Sequence, residues 1–314
     1  DIKDPKHPVK KSMELGPRDR LSQAFIKERE KGKTIPGPYG DVVHLDIRHL
    51  GKKKIDKKLP FVRELAKNYI GIDPVYEMIP VRPVVHYMMG GIDTNKDGST
   101  NLPGLFAAGE CACVSINGAN RLGSNSLTEI LVYGTRAGNA AAVFAKEHSE
   151  IDIAALEKLR DEEKSRITDN YLQNDGGSER IANLRQEMHL VMEEHVGIFR
   201  SESGLTKASS KIEELKDRFS SIIIEDKSKK FNTELISALE LENMLDIAEA
   251  IIFSALARRE SRGSHQRTDF QERNDKDFLS HSLAYLADRE SRIEYKEVVI
   301  TKWPPGERVY GKEE

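Results

Sequence analysis

Hydrophobic periodicity predicts two long helices in the second half of the chain. After a predicted N-cap at Ser178, apolar residues recur at intervals of three and four and would form one buried face: Ile181, Leu184, Met188, Val191 and Met192. A longer helix is predicted from an Asn232 cap to Arg262, with the apolar residues Leu235, Leu239, Leu245, Ile252 and Leu256. Gly263 is predicted to end this helix. The region from about 148 to 272 is therefore expected to be helical.

Shorter helix and strand patterns occupy the two ends of the chain. Before residue 85 they predict a helix at about 20–31, a loop with glycine and proline at 32–40, a strand at 42–46 and a helix at 59–69. After residue 272, the alternating residues Val298, Ile300 and Trp303, followed by Pro304 and Pro305, predict a small tail that contains strands. A length of 314 residues allows two or three domains.

A glycine-rich stretch lies between a predicted strand and a predicted helix. The apolar run Leu105–Ala108, closed by Gly109 and Glu110, is typical of a buried strand whose carboxyl end carries function. Ser126–Glu129 has the spacing of a capping box and opens a helical pattern through Ile130, Leu131, Ala137, Ala141 and Phe144. The N–H groups of that helix would face the glycine-rich loop and favour an anion or an electron-rich ring edge. On spacing alone, a tight structural connection remains an equal alternative.

The charge pattern excludes some kinds of partner. Acidic and basic residues nearly cancel to a net charge of -3, which gives no reason to expect a nucleic-acid partner. The lysine runs at 52–54 and 57–58 are interpreted as solvated surface. No run of about eighteen apolar residues is present, so membrane association would have to come through a partner.

Two sequence features look like metal or redox sites, a pair of cysteines and an EF-hand-like segment, but we interpret neither of them as such a site. Cys111 and Cys113 are too few for a zinc or iron–sulfur site and too close for an unstrained disulfide, so free thiols in a reducing cytoplasm are expected. The sequence from Asp93 to Gly98 copies the first half of an EF-hand loop. Its twelfth position is Gly104, where a bidentate glutamate is required, so we interpret it as a polar turn.

The glycine-rich motifs resemble the flavoprotein subunit of the succinate dehydrogenase and fumarate reductase family. The resemblance is carried by the motifs His86–Gly91, Gly104–Glu110 and Asn117–Leu127, and it continues from Met13–Asp19 to Pro304–Tyr310. Three segments resemble the bacterial quinol:fumarate reductase version more than the succinate dehydrogenase version: Glu14–Asp19, Gly40–Asp46 and Glu260–Arg267.

The resemblance implies an α/β fold with four parts. They are the end of a capping domain at 1–84, part of a Rossmann-like FAD-binding domain at 85–147, a helical bundle domain at 148–272 and a small α+β tail at 273–314. FAD is the implied cofactor, with a covalent histidine link expected upstream. The sequence begins at Asp1 and contains no G-x-G-x-x-G fingerprint. We therefore expect a carboxyl-terminal half that is inactive alone.

The catalytic residues are implied by position in the family motifs. Arg18 matches the arginine that delivers a proton to fumarate, although a guanidinium with a pKa above about 12 should hold its protons unless it is buried and resupplied. His86 and Arg121 match the pair that grips a dicarboxylate, Arg121 through a bidentate fork and His86 through a single donor. In isolation, each of the three would more often be a structural residue.

The cofactor contacts come from the same motifs: Tyr87, Glu110, Ser126 and Leu127. Glu110 could accept hydrogen bonds from the ribityl hydroxyls. The backbone N–H groups of Ser126 and Leu127 could face the pyrimidine edge of the flavin, where negative charge accumulates on reduction.

The implied activity is reduction of fumarate to succinate in anaerobic respiration, with succinate oxidation as the reverse. Implied partners are an iron–sulfur subunit and, indirectly, membrane anchor subunits and the quinone pool, at the cytoplasmic face of a bacterial inner membrane. Succinate dehydrogenase, L-aspartate oxidase and a non-catalytic helical docking scaffold are the alternatives. A further prediction concerns a basic cluster after the long helix, either a solvated helix end or a contact with the capping loop or the iron–sulfur subunit: Arg258, Arg259, Arg262, His265 and Arg267.

Overall fold

The computed structural model describes residues 18–38, 40–148, 150–286 and 292–306. The chain divides into two compact units, one that ends at His86 and also contains Gly306, and one that spans Tyr87–Pro305. The finer division into four domains stays a prediction.

The first unit combines short helices with one pair of strands. Its elements are α1 (Arg18–Glu30), β1 (Val43–Leu45), α2 (Gly51–Lys58), α3 (Pro60–Ile70) and β2 (Ile79–Val81). β1 and β2 are antiparallel, with Val43 opposite Val81. The predicted helices at 20–31 and 59–69 and the predicted strand at 42–46 are confirmed, whereas α2 was not predicted.

The lysine-rich segment that was interpreted as solvated surface is the helix α2. Its lysines are exposed and only Ile55 is buried, which confirms that interpretation. Arg63 of α3 holds the two helices and the following loop together, because it donates to Asp56 and makes a bidentate pair with Asp73 at 2.9 and 2.6 Å. These hydrogen bonds lower the pKa of Asp73 to about 2.

The second unit begins with two short parallel strands and a long helix. β3 (Ile92–Asp93) pairs with β4 (Ala112–Cys113), and α4 spans Asn125–Glu147. The predicted strand Leu105–Ala108 is wrong. It forms only a single bridge between Phe106 and Ser99, because its backbone hydrogen bonds go to the 98–100 turn rather than to a neighbouring strand.

The start of α4 also differs from the prediction. The N-cap is Ser124, which has a left-handed backbone (φ 65°) and makes no side-chain capping bond. Ser126 therefore lies inside the first turn, and the predicted capping box is wrong. Glu129 is free to turn toward the protein interior, where it is 2% exposed.

Four helices form the helical domain: α5 (Ile153–Ile167), α6 (Ile181–His195), α7 (Glu202–Phe219) and α8 (Thr233–Ala257). The predicted face of α6 is confirmed, since its residues are buried in or packed against one core with α7 and α8. The Asn232 cap is also confirmed, with its side chain accepting from the Leu235 N–H at 2.7 Å. The Ser178 cap is wrong, because α6 has Arg180 as its N-cap and Ser178 lies two residues earlier, where its N–H donates to the Ser221 carbonyl at 3.0 Å.

The long helix ends at Ala257 rather than at Arg262. Arg258 has an extended backbone (φ -89°, ψ 92°), and the residues after it enter a buried ion-pair cluster whose interactions replace helical hydrogen bonds. Gly263 lies beyond the helix and does not end it.

The chain continues through the single turn α9 (Asp275–Phe278) to an antiparallel hairpin of β5 (Ser280–Tyr285) and β6 (Arg292–Glu297). The predicted strand-bearing tail is confirmed, but its strands precede the alternating residues at 298–303. Among the described residues, no helix is both long enough and apolar enough to cross a membrane. The mixture of helices and short strands confirms the mixed α/β class.

We expect Leu184→Ala to destabilise the helical domain by about 2–5 kcal/mol, because Leu184 is fully buried in the core and its truncation leaves a cavity. The matched control on the same helix is Leu190→Ala, whose side chain is 59% exposed. Urea unfolding followed by circular dichroism measures both free energies. Equal losses would contradict the assignment of the core face of α6.

Candidate active site

Arg121 lies in the glycine-rich loop before α4 and is held over an aromatic ring. Its guanidinium carbon is 4.3 Å from the centre of the Tyr87 ring. Its Nη1 donates to the Leu122 carbonyl at 3.1 Å. Its Nε is buried and has no hydrogen-bond partner within the described part of the chain. A planar fork with one buried donor unsatisfied fits a carboxylate ligand, which guanidinium groups bind through two parallel hydrogen bonds.

Glu129 organises the residues beneath Arg121. Its Oε2 accepts from the Tyr87 hydroxyl at 3.1 Å and from the Asn117 Nδ2 at 2.8 Å. Burial raises the pKa of Tyr87, the Glu129 and Glu110 carboxylates raise it further, and Arg121 opposes them. Sequence reasoning assigned Glu129 only to a capping box. Its spacing of eight from Ala137, the other buried residue of α4, could have indicated an inward-facing acid.

Residues 88–91 of the first motif lie close to Glu110 and Cys111, which directly precede β4. The Met88 N–H donates to Glu110 Oε1 at 3.0 Å, so a predicted cofactor residue is tied to the motif. Gly91 has φ +132°, and a Cβ there would lie 2.5 Å from the Cys111 carbonyl oxygen. Only glycine permits this approach. The role of Glu110 toward the ribityl chain stays a prediction.

The amino terminus of α4 carries the other two predicted cofactor residues. The Leu127 N–H donates to the Ser124 carbonyl at 3.1 Å, and Ser126 lies beside it in the first turn. The helix has no side-chain cap, and the loop before it contains Gly118 and Gly123, around which a Cβ would meet nothing within 4 Å. An uncapped helix end beside a glycine-lined loop fits an electron-rich ring edge, which supports FAD at this position.

The other two predicted catalytic residues belong to the first unit. Arg18 is the first residue of α1 and is exposed, and its carbonyl accepts from the Ser22 hydroxyl at 2.9 Å. The motif residues 13–17 lie outside the described residues. His86 is also exposed. The structure thus brings Tyr87 and Arg121 into contact, whereas the roles of Arg18 and His86 stay predictions.

A segment of the helical domain that follows α8 holds the loop of Arg121 in place. The backbone N–H and the hydroxyl of Ser264 both donate to the Ala119 carbonyl, at 2.9 and 2.8 Å. Gly263 has φ +58°, and a Cβ there would lie 2.5 Å from the same oxygen. The helical domain therefore fixes the loop two residues before Arg121.

The basic cluster after α8 consists of buried or half-buried side chains with hydrogen-bond partners, so the prediction of a solvated helix end is wrong for all of its members except Arg259, which is exposed. Glu260 is fully buried between Arg258 and Arg262, at 2.6 and 2.9 Å, and Arg262 also contacts Asp275. Burial alone would raise the pKa of Glu260, but the hydrogen bonds that it accepts lower it.

A second ion pair, between a buried arginine and an exposed aspartate, lies in the same segment. Arg267 is fully buried and makes a bidentate pair with Asp269 at 2.7 and 2.8 Å. The Arg200 guanidinium lies 3.0 Å from Nδ1 of His265. The other ring nitrogen of His265, Nε2, lies 3.0 Å from the Arg258 carbonyl oxygen. Burial and the neighbouring arginines lower the pKa of His265 to about 4. His265 is therefore neutral at pH 7, accepting from Arg200 and donating to the carbonyl.

The EF-hand-like segment is a turn, as predicted. The Asn95 side chain accepts from the Asp97 N–H at 2.8 Å, Arg136 pairs with Asp97 at 2.6 Å, and Lys296 of β6 pairs with Asp93 at 2.9 Å. No group of three or more metal-ligating side chains occurs among the residues that the structure describes. Cys111 and Cys113 are both free thiols, and burial raises the pKa of Cys113.

Two family models match separate parts of the chain. One, described as FAD binding domain, matches residues 6–127. The other, described as fumarate reductase flavoprotein C-term, matches residues 185–310. The first match contains the glycine-rich loop and the start of α4, and the second contains most of the helical domain and the hairpin. The fold and the site therefore define a flavoprotein of the FAD-binding class.

Individual relatives narrow this class. The fumarate reductase flavoprotein subunit of Mycobacterium tuberculosis is 55% identical over 97% of this chain and 53% of its own length. The succinate dehydrogenase flavoprotein subunit of Rickettsia bellii is 38% identical over 95% and 52%. A solved quinol fumarate reductase of Escherichia coli matches with a TM-score of 0.89 and 50% identity, over 96% of this chain and 52% of that one. The chain belongs to the family of fumarate reductase and succinate dehydrogenase flavoprotein subunits, and it spans about half the length of the curated relatives it matches.

We expect Gly263→Ala to destabilise the second unit by about 2 kcal/mol or more, because the left-handed backbone costs a side chain about 1–2 kcal/mol and the new Cβ would collide with the Ala119 carbonyl. The matched control is Gly123→Ala in the same loop, where a Cβ meets nothing within 4 Å. Thermal unfolding of both variants measures the difference. A control as unstable as Gly263→Ala would show that the contact with Ala119 is not the cause.

Proposed function

We propose that the chain supplies the dicarboxylate-binding part of a fumarate reductase flavoprotein subunit, which reduces fumarate to succinate in anaerobic respiration. The observation that carries the proposal is Arg121, whose guanidinium is stacked on Tyr87 with a buried, unsatisfied Nε. The higher identity to fumarate reductases than to succinate dehydrogenases favours this branch. The same groups would also serve succinate oxidation.

Arg121 is the carboxylate clamp in this proposal. Its position is set before ligand binds, by the Tyr87 ring on one face and by the Leu122 carbonyl at Nη1. The edge that contains Nε is left to donate in parallel to two carboxylate oxygens. His86 would donate one hydrogen bond to the same carboxylate. A firmly held carboxylate lets the opposite end of fumarate twist out of the plane of the double bond and become more electrophilic.

FAD bound at the α4 amino terminus would supply the hydride that reduces the double bond. Glu110 would accept hydrogen bonds from the ribityl hydroxyls while it holds the Met88 N–H. The Ser126 N–H in the first turn of α4 would face the negative pyrimidine edge. The Leu127 N–H already donates to the Ser124 carbonyl and would have to share its hydrogen with the flavin.

Arg18 is the proton donor in the proposal. A guanidinium holds its protons strongly, with a pKa above about 12, so donation requires exclusion from water and rapid resupply. In the proposal, the bound substrate shields Arg18 from water, and a relay of proton-carrying side chains would have to return the proton to it. Family membership supports this role.

The partners proposed for the subunit are an iron–sulfur subunit and, through it, membrane anchor subunits and the quinone pool. Support comes from the solved relative, which is a quinol fumarate reductase. The subunit would then lie peripherally at the cytoplasmic face of the inner membrane.

The function is tested with the FAD-loaded subunit that contains this chain, assayed for fumarate-dependent oxidation of a reduced dye. We expect Arg121→Lys to weaken fumarate binding about 10- to 100-fold, because lysine keeps the charge but loses one charge-assisted hydrogen bond of the fork. Titration of the oxidised subunit with fumarate gives the Kd. The control is Arg136→Lys on α4, whose arginine is partly exposed and paired with Asp97. An unchanged Kd for Arg121→Lys would refute the clamp, and oxidation of L-aspartate would favour the aspartate oxidase alternative.

We expect the Arg18→Lys variant to bind fumarate and to accept electrons into FAD. Its rate of fumarate reduction should fall by more than about 10³-fold, because the shorter head group cannot reach the carbon within proton-transfer distance. A residue that only stabilises charge typically contributes about 10²–10³. Arg29→Lys, at the exposed end of the same helix, is the control. A lysine variant with more than about a hundredth of the rate would rule out proton donation by Arg18.

A further inference from the structure

Glu129 is a buried charged residue that the proposed function does not use. It is 2% exposed, and a carboxylate at such a depth needs strong hydrogen-bond donors to offset the loss of water. Both of its described donors, the Tyr87 hydroxyl and the Asn117 amide, are directed at one oxygen, Oε2. They come from positions 42 and 12 residues away in the chain.

Those donors belong to the two segments that carry the predicted substrate contacts. Tyr87 directly follows His86 in the first motif, and Asn117 opens the loop that contains Arg121. One carboxylate on α4 therefore ties the helix, the loop and the His86–Gly91 motif together. Losing it would leave a hydroxyl and an amide without their partner and would loosen all three segments at the same point.

The ring of Tyr87 transmits this constraint to Arg121. A phenol that donates to a carboxylate has an electron-richer ring, and an electron-rich face attracts a guanidinium more strongly. The Arg121 guanidinium carbon lies 4.3 Å from the centre of that ring. The orientation of the Arg121 guanidinium is thus set by the Tyr87 ring, and the orientation of that ring is fixed by Glu129.

We infer that Glu129 is a positioning residue that orients Arg121 through Tyr87 and thereby sets the affinity of the site for the dicarboxylate. This inference rests on the proposed function of Arg121. It predicts that Glu129 acts on substrate binding without touching the substrate.

The test measures the fumarate Kd of the oxidised, FAD-loaded subunit in a double-mutant cycle. Glu129→Gln should raise the Kd about tenfold in the wild-type background, the effect of weakening one buried hydrogen bond to a charged group. In the Arg121→Lys background it should change the Kd by less than about twofold, because the clamp that it orients is already lost. The control variant Glu147→Gln, at the exposed end of α4, should leave the Kd unchanged in both backgrounds. Multiplicative effects of Glu129→Gln and Arg121→Lys would overturn the inference, because a merely structural role gives that result.

Tyr87→Phe keeps the ring but removes the hydroxyl that reaches Glu129, so it separates orientation from folding. We expect it to reproduce the rise in Kd, and Glu129→Gln added to it should have little further effect. Equal Kd values for Tyr87→Phe and the wild type would overturn the inference even if Glu129→Gln fails to fold.

A readout that needs no flavin is the ionisation of Tyr87, followed by NMR in the chain labelled at the tyrosine ring carbons and assigned with Tyr87→Phe. The charged groups that face Tyr87 are Glu129, Glu110 and Arg121. Because a nearby carboxylate disfavours the phenolate, Glu129→Gln should lower the pKa of Tyr87. An unchanged pKa would overturn the link between the two residues.

Absence of fumarate binding by the wild-type subunit would overturn the proposed function and this inference together, whereas normal binding by Glu129→Gln would overturn the inference alone.

Discussion

The carbonyl oxygen of Ala119 is the point at which the helical domain and the glycine-rich loop meet. It accepts two hydrogen bonds from Ser264, and the backbone at Gly263 approaches it so closely that no side chain fits. Arg121 follows two residues later, so the position of the site depends on a segment more than a hundred residues away in the chain. Behind Ser264, neutral His265 and buried Glu260 hold that segment rigid by binding the arginines around them. The buried ions bring a desolvation penalty, and their contribution here is a fixed geometry rather than a gain in free energy.

The sequence predicted correctly those helices, caps and strands that are determined by residues close together in the chain. The periodic face of α6, the Asn232 cap and the strand near Val43 follow from the chemistry of a few neighbouring residues, and the structure confirms them. The predictions that failed depend on distant partners. The N-cap of α6 is Arg180 rather than Ser178, because Ser178 and Glu179 are held by the distant Ser221 carbonyl before the helix begins. The helix α8 stops early because Arg258 donates to the Phe278 carbonyl and Arg262 pairs with Asp275. Long-range pairing of this kind leaves no periodic trace in a sequence.

In the candidate site, too, some residues were predicted correctly from the sequence and others were not. Arg121 and Tyr87 were identified from family motifs, and the structure brings them into contact. Glu129 was assigned to the wrong role, because its spacing from Ser126 imitates a capping box while its side chain faces inward toward Tyr87 and Asn117. The basic cluster was expected at the surface because the helix dipole favours cations at a solvated carboxyl terminus. Besides Glu260, its acidic partners Asp269 and Asp275 follow later in the chain, and the fold returns them to the cluster.

The hairpin at the end of the chain has a consequence for the order of biosynthesis. Lys296 pairs with Asp93 and His281 contacts Ser115, across separations of 203 and 166 residues. Contacts that close such long loops form late and slowly, whereas the four helices between them depend mainly on neighbours in sequence. During translation, the helical domain can therefore fold before the β3–β4 region receives its last contacts. That region stays incomplete until β6 has left the ribosome, so premature termination before β6 would spare the helices and leave β3 without its contact with Lys296.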